Sequence, residues 1–200
     1  MAFVFLALIG YLIGSIPSGY LSMRYFTGAD IRTLGTGNAT VTAVLMHGGR
    51  RPALVALVAE MAKGALCVLI AHIMVGEVWA GLVILVAAVF GCSWSIWLKG
   101  SGGQGMTIAM SGLVLLNVLA VLIMAAFYLL PMAATKRYLL SNRMFRVSLP
   151  VILGFWYGSW EYALAGGLLV MPSFIKQWLR GDDVLEARKA EGVSPGGGAS

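Results

Sequence analysis

Charge is what this sequence has least of. Only 11% of its 200 residues are Asp, Glu, Lys or Arg, while 60% are hydrophobic and the mean hydropathy is +0.88. So few charges cannot clothe a soluble domain of this length, which excludes the ordinary soluble classes and leaves a polytopic membrane protein. Histidine and cysteine are equally scarce, at two each, and no group of them has metal-ligand spacing, so neither a metal nor any other cofactor is expected. Cys67 and Cys92 both lie inside apolar runs, where each reads as a small packing residue and not as half of a disulfide. No basic residue precedes Arg24, so the opening apolar run lacks the n-region of a secretory signal and reads as a retained transmembrane helix. The net charge of +6 is no nucleic-acid footprint, because its basic residues sit at the ends of apolar runs, where they report orientation in a bilayer.

What is there is a series of apolar runs. A crossing takes roughly 20 residues, and the candidates are about 2–23, 53–75, 78–98, 147–159 with its flanks, and 160–179. The stretch 107–134 is too long for one span. Arg24, Arg32, Arg50 and Arg51 follow the first run, Lys99 follows the third, and Lys136, Arg137, Arg143 and Arg146 follow the long stretch, whereas "VGEVW" after the second run has no Lys or Arg. If the basic groups are all cytoplasmic, 107–134 must leave and return, broken near Asn117. The expectation is an all-α bundle of about seven transmembrane helices, N-terminus outside and C-terminus cytoplasmic. Residues 1–181 form one membrane domain with no internal repeat, and 182–200 a short cytoplasmic tail with a helix at "GDDVLEARKAEG" and a flexible "VSPGGGAS" end. The six tryptophans fall mostly near span ends, as an interfacial belt would place them.

Two glycine-rich loops fall on the same side in this topology, "DIRTLGTGNATVTAVLMHGGRR" at 30–51 and "KGSGGQG" at 99–105. Glycine permits the backbone turns in which successive N–H groups face one concavity and bind an anion. Thr36, Asn38, Thr40 and Thr42 add hydroxyl and amide groups, and Arg32, Lys63 and Lys99 add charge. The bland reading is that these glycines only let helix ends turn and pack. Soluble nucleotide motifs do not survive: Gly100, Gly102 and Gly105 spell G-x-G-x-x-G after a membrane helix instead of a strand, and Met106 stands where a P-loop needs lysine. In the second run Glu60 and Lys63 lie one helical turn apart at a depth where an unpaired charge is costly, so they form an ion pair with either a structural or a functional role.

These blocks, in this order and spacing, resemble the bacterial acyl-phosphate:glycerol-3-phosphate acyltransferases, over about residues 5–183. The similar stretches are "YLIGSIPSGYL", "GADIRTLGTGN", "EMAKG", "LKGSGGQG", "KRY" and "LRGDD". The resemblance implies a multi-pass protein of the bacterial cytoplasmic membrane that transfers an acyl group from acyl phosphate to glycerol 3-phosphate, giving lysophosphatidic acid. It implies catalytic roles for Thr36, Asn38 and Lys63. It implies phosphate binding by Gly37, Thr42, Gly102 and Gly103, to which the reading of the second loop itself adds Lys99 and Gln104.

Departures from the family pattern fall where chemistry is expected. Met46 stands at a phosphate-binding arginine, Cys92 at a histidine, Gln104 at the lysine of G-G-K-G, Leu140 at a serine, and "MPSF" at 171–174 replaces a histidine-arginine-glutamate-asparagine block. Losing cations and a histidine together removes means of stabilising phosphate charge and moving a proton. The sequence therefore favours a catalytically silent or altered paralogue, a structural or lipid-binding subunit of a membrane complex. The alternative is an active acyltransferase of phospholipid synthesis, and a transporter motivated by Glu60 and Lys63 is the third reading. The expected partners are the lipid bilayer, acyl phosphate and glycerol 3-phosphate or another phosphorylated ligand, and no nucleic acid.

Overall fold

The computed structural model describes residues 1–185. Residues 186–200, which include most of the expected tail helix, lie outside them. Among the described residues the elements are helices: α1 (Ala2–Ser15), α2 (Ser18–Thr27), α3 (Val41–Gly48), α4 (Arg50–Met74), α5 (Val78–Ser93), α6 (Met106–Leu116), α7 (Val118–Thr135), α8 (Tyr138–Tyr157) and α9 (Trp160–Arg180), with short 3-10 turns at Ile31–Thr33 and Ile96–Leu98. Among the described residues four stretches are long and apolar enough to cross a membrane: Ala2–Thr27, Arg50–Met74, Val78–Leu98 and Val118–Thr135. In α8 and α9 the apolar run is diluted by Ser141, Asn142, Arg143 and Arg146 and by Glu161, Lys176 and Arg180.

The expected break at Asn117 is present. Asn117 ends α6 with φ −160° and ψ 89°, and its side-chain oxygen accepts from the Ala120 amide to start α7. This satisfies a free amide that hydrocarbon would otherwise leave unbonded.

The first span is interrupted too, at Ile16 and Pro17, because proline has no N–H to continue α1. The carbonyls released there are taken by side chains from two other helical segments. Lys63 Nζ donates to Ile16 O at 2.8 Å and to Gly14 O at 3.5 Å, and Ser95 Oγ donates to Ser15 O at 2.5 Å. Lys63 sits deep in the bundle because it caps a broken helix. Its third partner is Glu60 Oε1 at 2.7 Å, and both side chains are buried.

Small residues set how closely the bundle packs. A Cβ at Gly10 or Gly14, four residues apart on α1, would run into the carbonyls of Ile84 and Ala88 on α5. The two helices meet backbone to backbone, the small-xxx-small device for association in lipid. Leu82, Leu85, Ile108, Leu113, Leu149 and Leu169 fill the buried core from α5, α6, α8 and α9. The result is a rigid frame with both glycine loops at one end. The α4 helix has 25 residues, so Met74 and the α4–α5 turn lie roughly 37 Å away at 1.5 Å per residue.

Candidate functional site

The two glycine loops meet. The Ala39 amide donates to Gly102 O at 3.4 Å, and a Cβ on Gly103 would sit 3.1 Å from Ala39 O. Arg180, in the last turn of α9, ties them from behind: one guanidinium nitrogen donates to Gly37 O at 2.9 Å and the other to Ser101 Oγ at 3.2 Å. Lys176, one helical turn earlier and 3% exposed, donates to Gly100 O at 3.2 Å and lies 5.5 Å from the Trp94 ring centroid. Neither contact is visible from spacing, because it joins residues 76 and 143 positions apart.

Several loop amides are not arranged as an anion nest. The Gly37 N–H bonds Leu34 O at 2.9 Å, and the Gly103 N–H bonds Cys92 O at 3.1 Å. Gly102 is needed for close approach, since a Cβ there would collide with the Cys92 carbonyl. The Gly37 and Gly103 N–H groups are thus spent within the junction. Helix starts meet nearby: Val41 and Thr42 begin α3, Met106 and Thr107 begin α6, and all four line one cavity of about 110 Å³ with Thr40, Glu60, Cys92, Gly103 and Gln104. Two helix N-termini thus open onto one space, each contributing unpaired N–H groups and roughly half a positive charge. Thr40 caps α3 through the Ala43 amide at 3.0 Å.

A second cavity, of about 180 Å³, shares Thr40, Thr42, Gln104 and Met106 with the first and adds Tyr138, Asn142, Phe145, Arg146, Asp182, Asp183 and Val184. Gln104 therefore lies on the wall between the two, where its Oε1 accepts from Ser173 Oγ at 2.9 Å. Thr36 and Asn38 form the polar scaffold behind Thr40. Thr36 Oγ1 donates to Asp183 Oδ1 at 2.5 Å and accepts from Asn38 Nδ2 at 3.0 Å, and Thr40 Oγ1 donates to Asp183 Oδ2 at 3.1 Å. Asn38 is fully buried, and its Oδ1 has no partner among the described residues. Glu60 turns Oε1 to Lys63 and Oε2 to the Cys92 thiol at 3.5 Å, and among the described residues it is the carboxylate on the wall of the smaller cavity.

The other sequence candidates are placed outside this centre. Lys99 caps a 3-10 turn with φ 52° and is exposed. Met46 and Leu140 are each 40% exposed and line neither cavity. Arg32 is engaged at the surface, paired with Asp30 at 2.6 Å and stacked 5.1 Å from the Tyr20 centroid. Its hydrogen bonds hold the Asp30 carboxyl below the usual carboxylate range. Sequence reasoning missed Arg146, Lys176, Arg180, Ser173, Gln177, Asp182 and Asp183 as site residues. A signal existed for one of them, since Lys176 falls inside the apolar run 160–179 as Glu60 and Lys63 fall inside 53–75.

Known proteins are similar to this chain in fold and in sequence. In solved structures the chain is similar to PlsY (YgiH), described as an integral membrane glycerol 3-phosphate acyltransferase in its glycerol 3-phosphate form, with TM-score 0.73 and 23% identity over 92% of this chain and 94% of that one. The lysophosphatidic acid form of PlsY gives TM-score 0.68 at 19% identity, over 93% and 98% of the two chains. Among curated sequences it is 32% identical to a glycerol-3-phosphate acyltransferase of Thermosynechococcus vestitus, covering 98% of this chain and 95% of the relative. It is 38% identical to glycerol-3-phosphate acyltransferase 1 of Dehalococcoides mccartyi over 76% and 75%. With the family model for glycerol-3-phosphate acyltransferase matching residues 4–180, the chain belongs to that family of integral membrane proteins.

Proposed function

We propose that the protein is an active acyl-phosphate:glycerol-3-phosphate acyltransferase of a bacterial cytoplasmic membrane. The observation that carries this reading is the convergence of the α3 and α6 N-termini on one polar cavity between the glycine loops. Substitution of Met46, Cys92, Gln104, Leu140 and residues 171–174 favours a silent subunit only if charge stabilisation must come from those side chains. Helix N-termini, the Thr42 hydroxyl and the Gln104 amide offer a preorganised set of donors in their place. The forms in which PlsY was solved, with glycerol 3-phosphate and lysophosphatidic acid, support the same acceptor and product.

In the reaction, the 1-hydroxyl oxygen of glycerol 3-phosphate attacks the carbonyl carbon of acyl phosphate. The ester C–O bond forms, the C–O bond to phosphate breaks, and inorganic phosphate leaves with the bonding pair. The helix ends and side-chain donors stabilise the charge gathering on the phosphoryl oxygens. On this reading Glu60 Oε2, on the cavity wall, takes the hydroxyl proton as the ester bond forms and passes it to the departing phosphate, while Lys63 holds Glu60 and the break in α1 in position.

The test is turnover by purified protein in detergent or nanodiscs, with long-chain acyl phosphate and labelled glycerol 3-phosphate. Labelled lysophosphatidic acid should form with stoichiometric release of phosphate. A folded, monodisperse preparation that forms none would return the silent-subunit reading to first place.

A further inference from the structure

Arg146 is 4% exposed, yet no carboxylate lies within ion-pair distance of it among the described residues. Its guanidinium lies 5.5 Å from the Phe174 centroid, and one nitrogen donates to Gln177 Oε1 at 2.6 Å. A guanidinium carries five N–H donors, and a buried cation is costly unless its charge and its donors are answered.

The nearby acids answer it only indirectly. Asp182 Oδ2 accepts from Gln177 Nε2 at 2.6 Å and from Tyr138 OH at 3.4 Å, and Oδ1 takes the Val184 amide at 3.0 Å. Asp183 is held by Thr36 and Thr40. Both carboxylates are committed to other donors, and they line the cavity of about 180 Å³ together with Arg146, Thr42, Asn142 and Gln104. With the two acids spent on Thr36, Thr40, Gln177 and Tyr138, the guanidinium, the Thr42 hydroxyl, the side-chain amides and the N-terminus of α3 are left as an arrangement for an anion.

We propose that Arg146 is the phosphate-binding cation of this chain, taking the part that Met46, turned to the surface, and the neutral Gln104 leave unfilled. Its ligand is a phosphoryl group of the substrate, entered between the guanidinium and the Thr42 and Gln104 side chains. The proposal rests on the acyltransferase reading for the identity of the substrate, although phosphate binding is measurable without turnover.

The test compares wild type, Arg146→Gln, Arg146→Lys and Asn142→Asp in detergent. Thermal stabilisation is followed as inorganic phosphate and, separately, glycerol 3-phosphate are titrated, and KM for glycerol 3-phosphate and for acyl phosphate is measured in parallel. Arg146→Gln should weaken phosphate-dependent stabilisation about ten- to hundredfold, the range of a lost charge-assisted bond, and raise KM for whichever substrate supplies the phosphoryl group. Arg146→Lys should recover part of the effect, which a role limited to holding Gln177 would not require. Asn142→Asp, nearly isosteric and one turn from Arg146, should also weaken binding, and it keeps the test open if Arg146→Gln does not fold. Phosphate stabilisation and KM values unchanged in Arg146→Gln, or in Asn142→Asp where the former does not fold, overturn the proposal while leaving the acyltransferase reading intact. Phosphate binding lost in Arg146→Gln with no turnover in wild type supports Arg146 and defeats the acyltransferase reading.

Discussion

The hydroxyl of Thr36 donates to the carboxylate of Asp183 at 2.5 Å, across 147 residues of chain. The same carboxylate takes the Thr40 hydroxyl, and so joins the first glycine loop to the segment that leaves α9. Asp183 is 6% exposed, which puts these bonds largely beyond competition from water. Asp183→Ala should therefore lower stability in detergent by about 1.5–3 kcal/mol, the range for a hydrogen bond to a charged group. Thermal unfolding reads the effect, and a melting temperature equal to wild type would mean the loop is held by Arg180 alone.

Removing Lys63 should cost more than removing any exposed lysine. Lys63→Ala leaves Glu60 charged and buried without its partner, and it frees Ile16 O inside the bundle. Breaking such a pair from one side costs roughly 3–5 kcal/mol. Lys99→Ala, at an exposed turn, should stay within about 0.5 kcal/mol of wild type. Comparable small losses for both variants would show that Lys63 reaches water by another route.

Orientation in the membrane can be read with introduced cysteines, because native Cys67 and Cys92 are buried and free. Lys99 and Glu77 are both exposed and lie at opposite ends of the bundle. Lys99→Cys should react only with reagent on the cytoplasmic side, and Glu77→Cys only with reagent outside. Reaction of both from one side would undo the positive-inside assignment.

Much of the fold is legible because hydrocarbon imposes strict rules. Apolar length locates the spans, and the polar Asn117 within an overlong run marks the break that the structure has. The meeting of the glycine loops also follows from orientation alone. The chemistry of their junction does not. Whether Gly37 and Gly103 offer their amides or consume them depends on Leu34 and Cys92 carbonyls that no spacing rule supplies. Arg180 and Arg146 resemble orientation markers in sequence, and only the packing of α8 and α9 against the loops turns them inward. Met46 illustrates the converse: it matches a charged position in a motif, but it lies on the solvent or lipid side of α3, 40% exposed.

Gln104 is the position where charge should matter most, since its side chain stands on the wall shared by both cavities. A neutral amide can donate to a phosphoryl oxygen but cannot neutralise charge developing there. Gln104→Lys should then tighten glycerol 3-phosphate or acyl-phosphate binding and raise kcat/KM by about tenfold or more, the scale of one charge-assisted contact. The gain is tempered by the lost bond from Ser173 Oγ. Met46→Arg should do much less, because its side chain starts outside both cavities. Gln104→Ala should lower kcat/KM if the amide is a donor in the transition state, and it should lower kcat with it. A steady-state comparison of the three variants decides the matter. Equal kcat/KM in wild type, Gln104→Lys and Gln104→Ala would place the phosphate away from this wall and leave the helix N-termini without the ligand assigned to them.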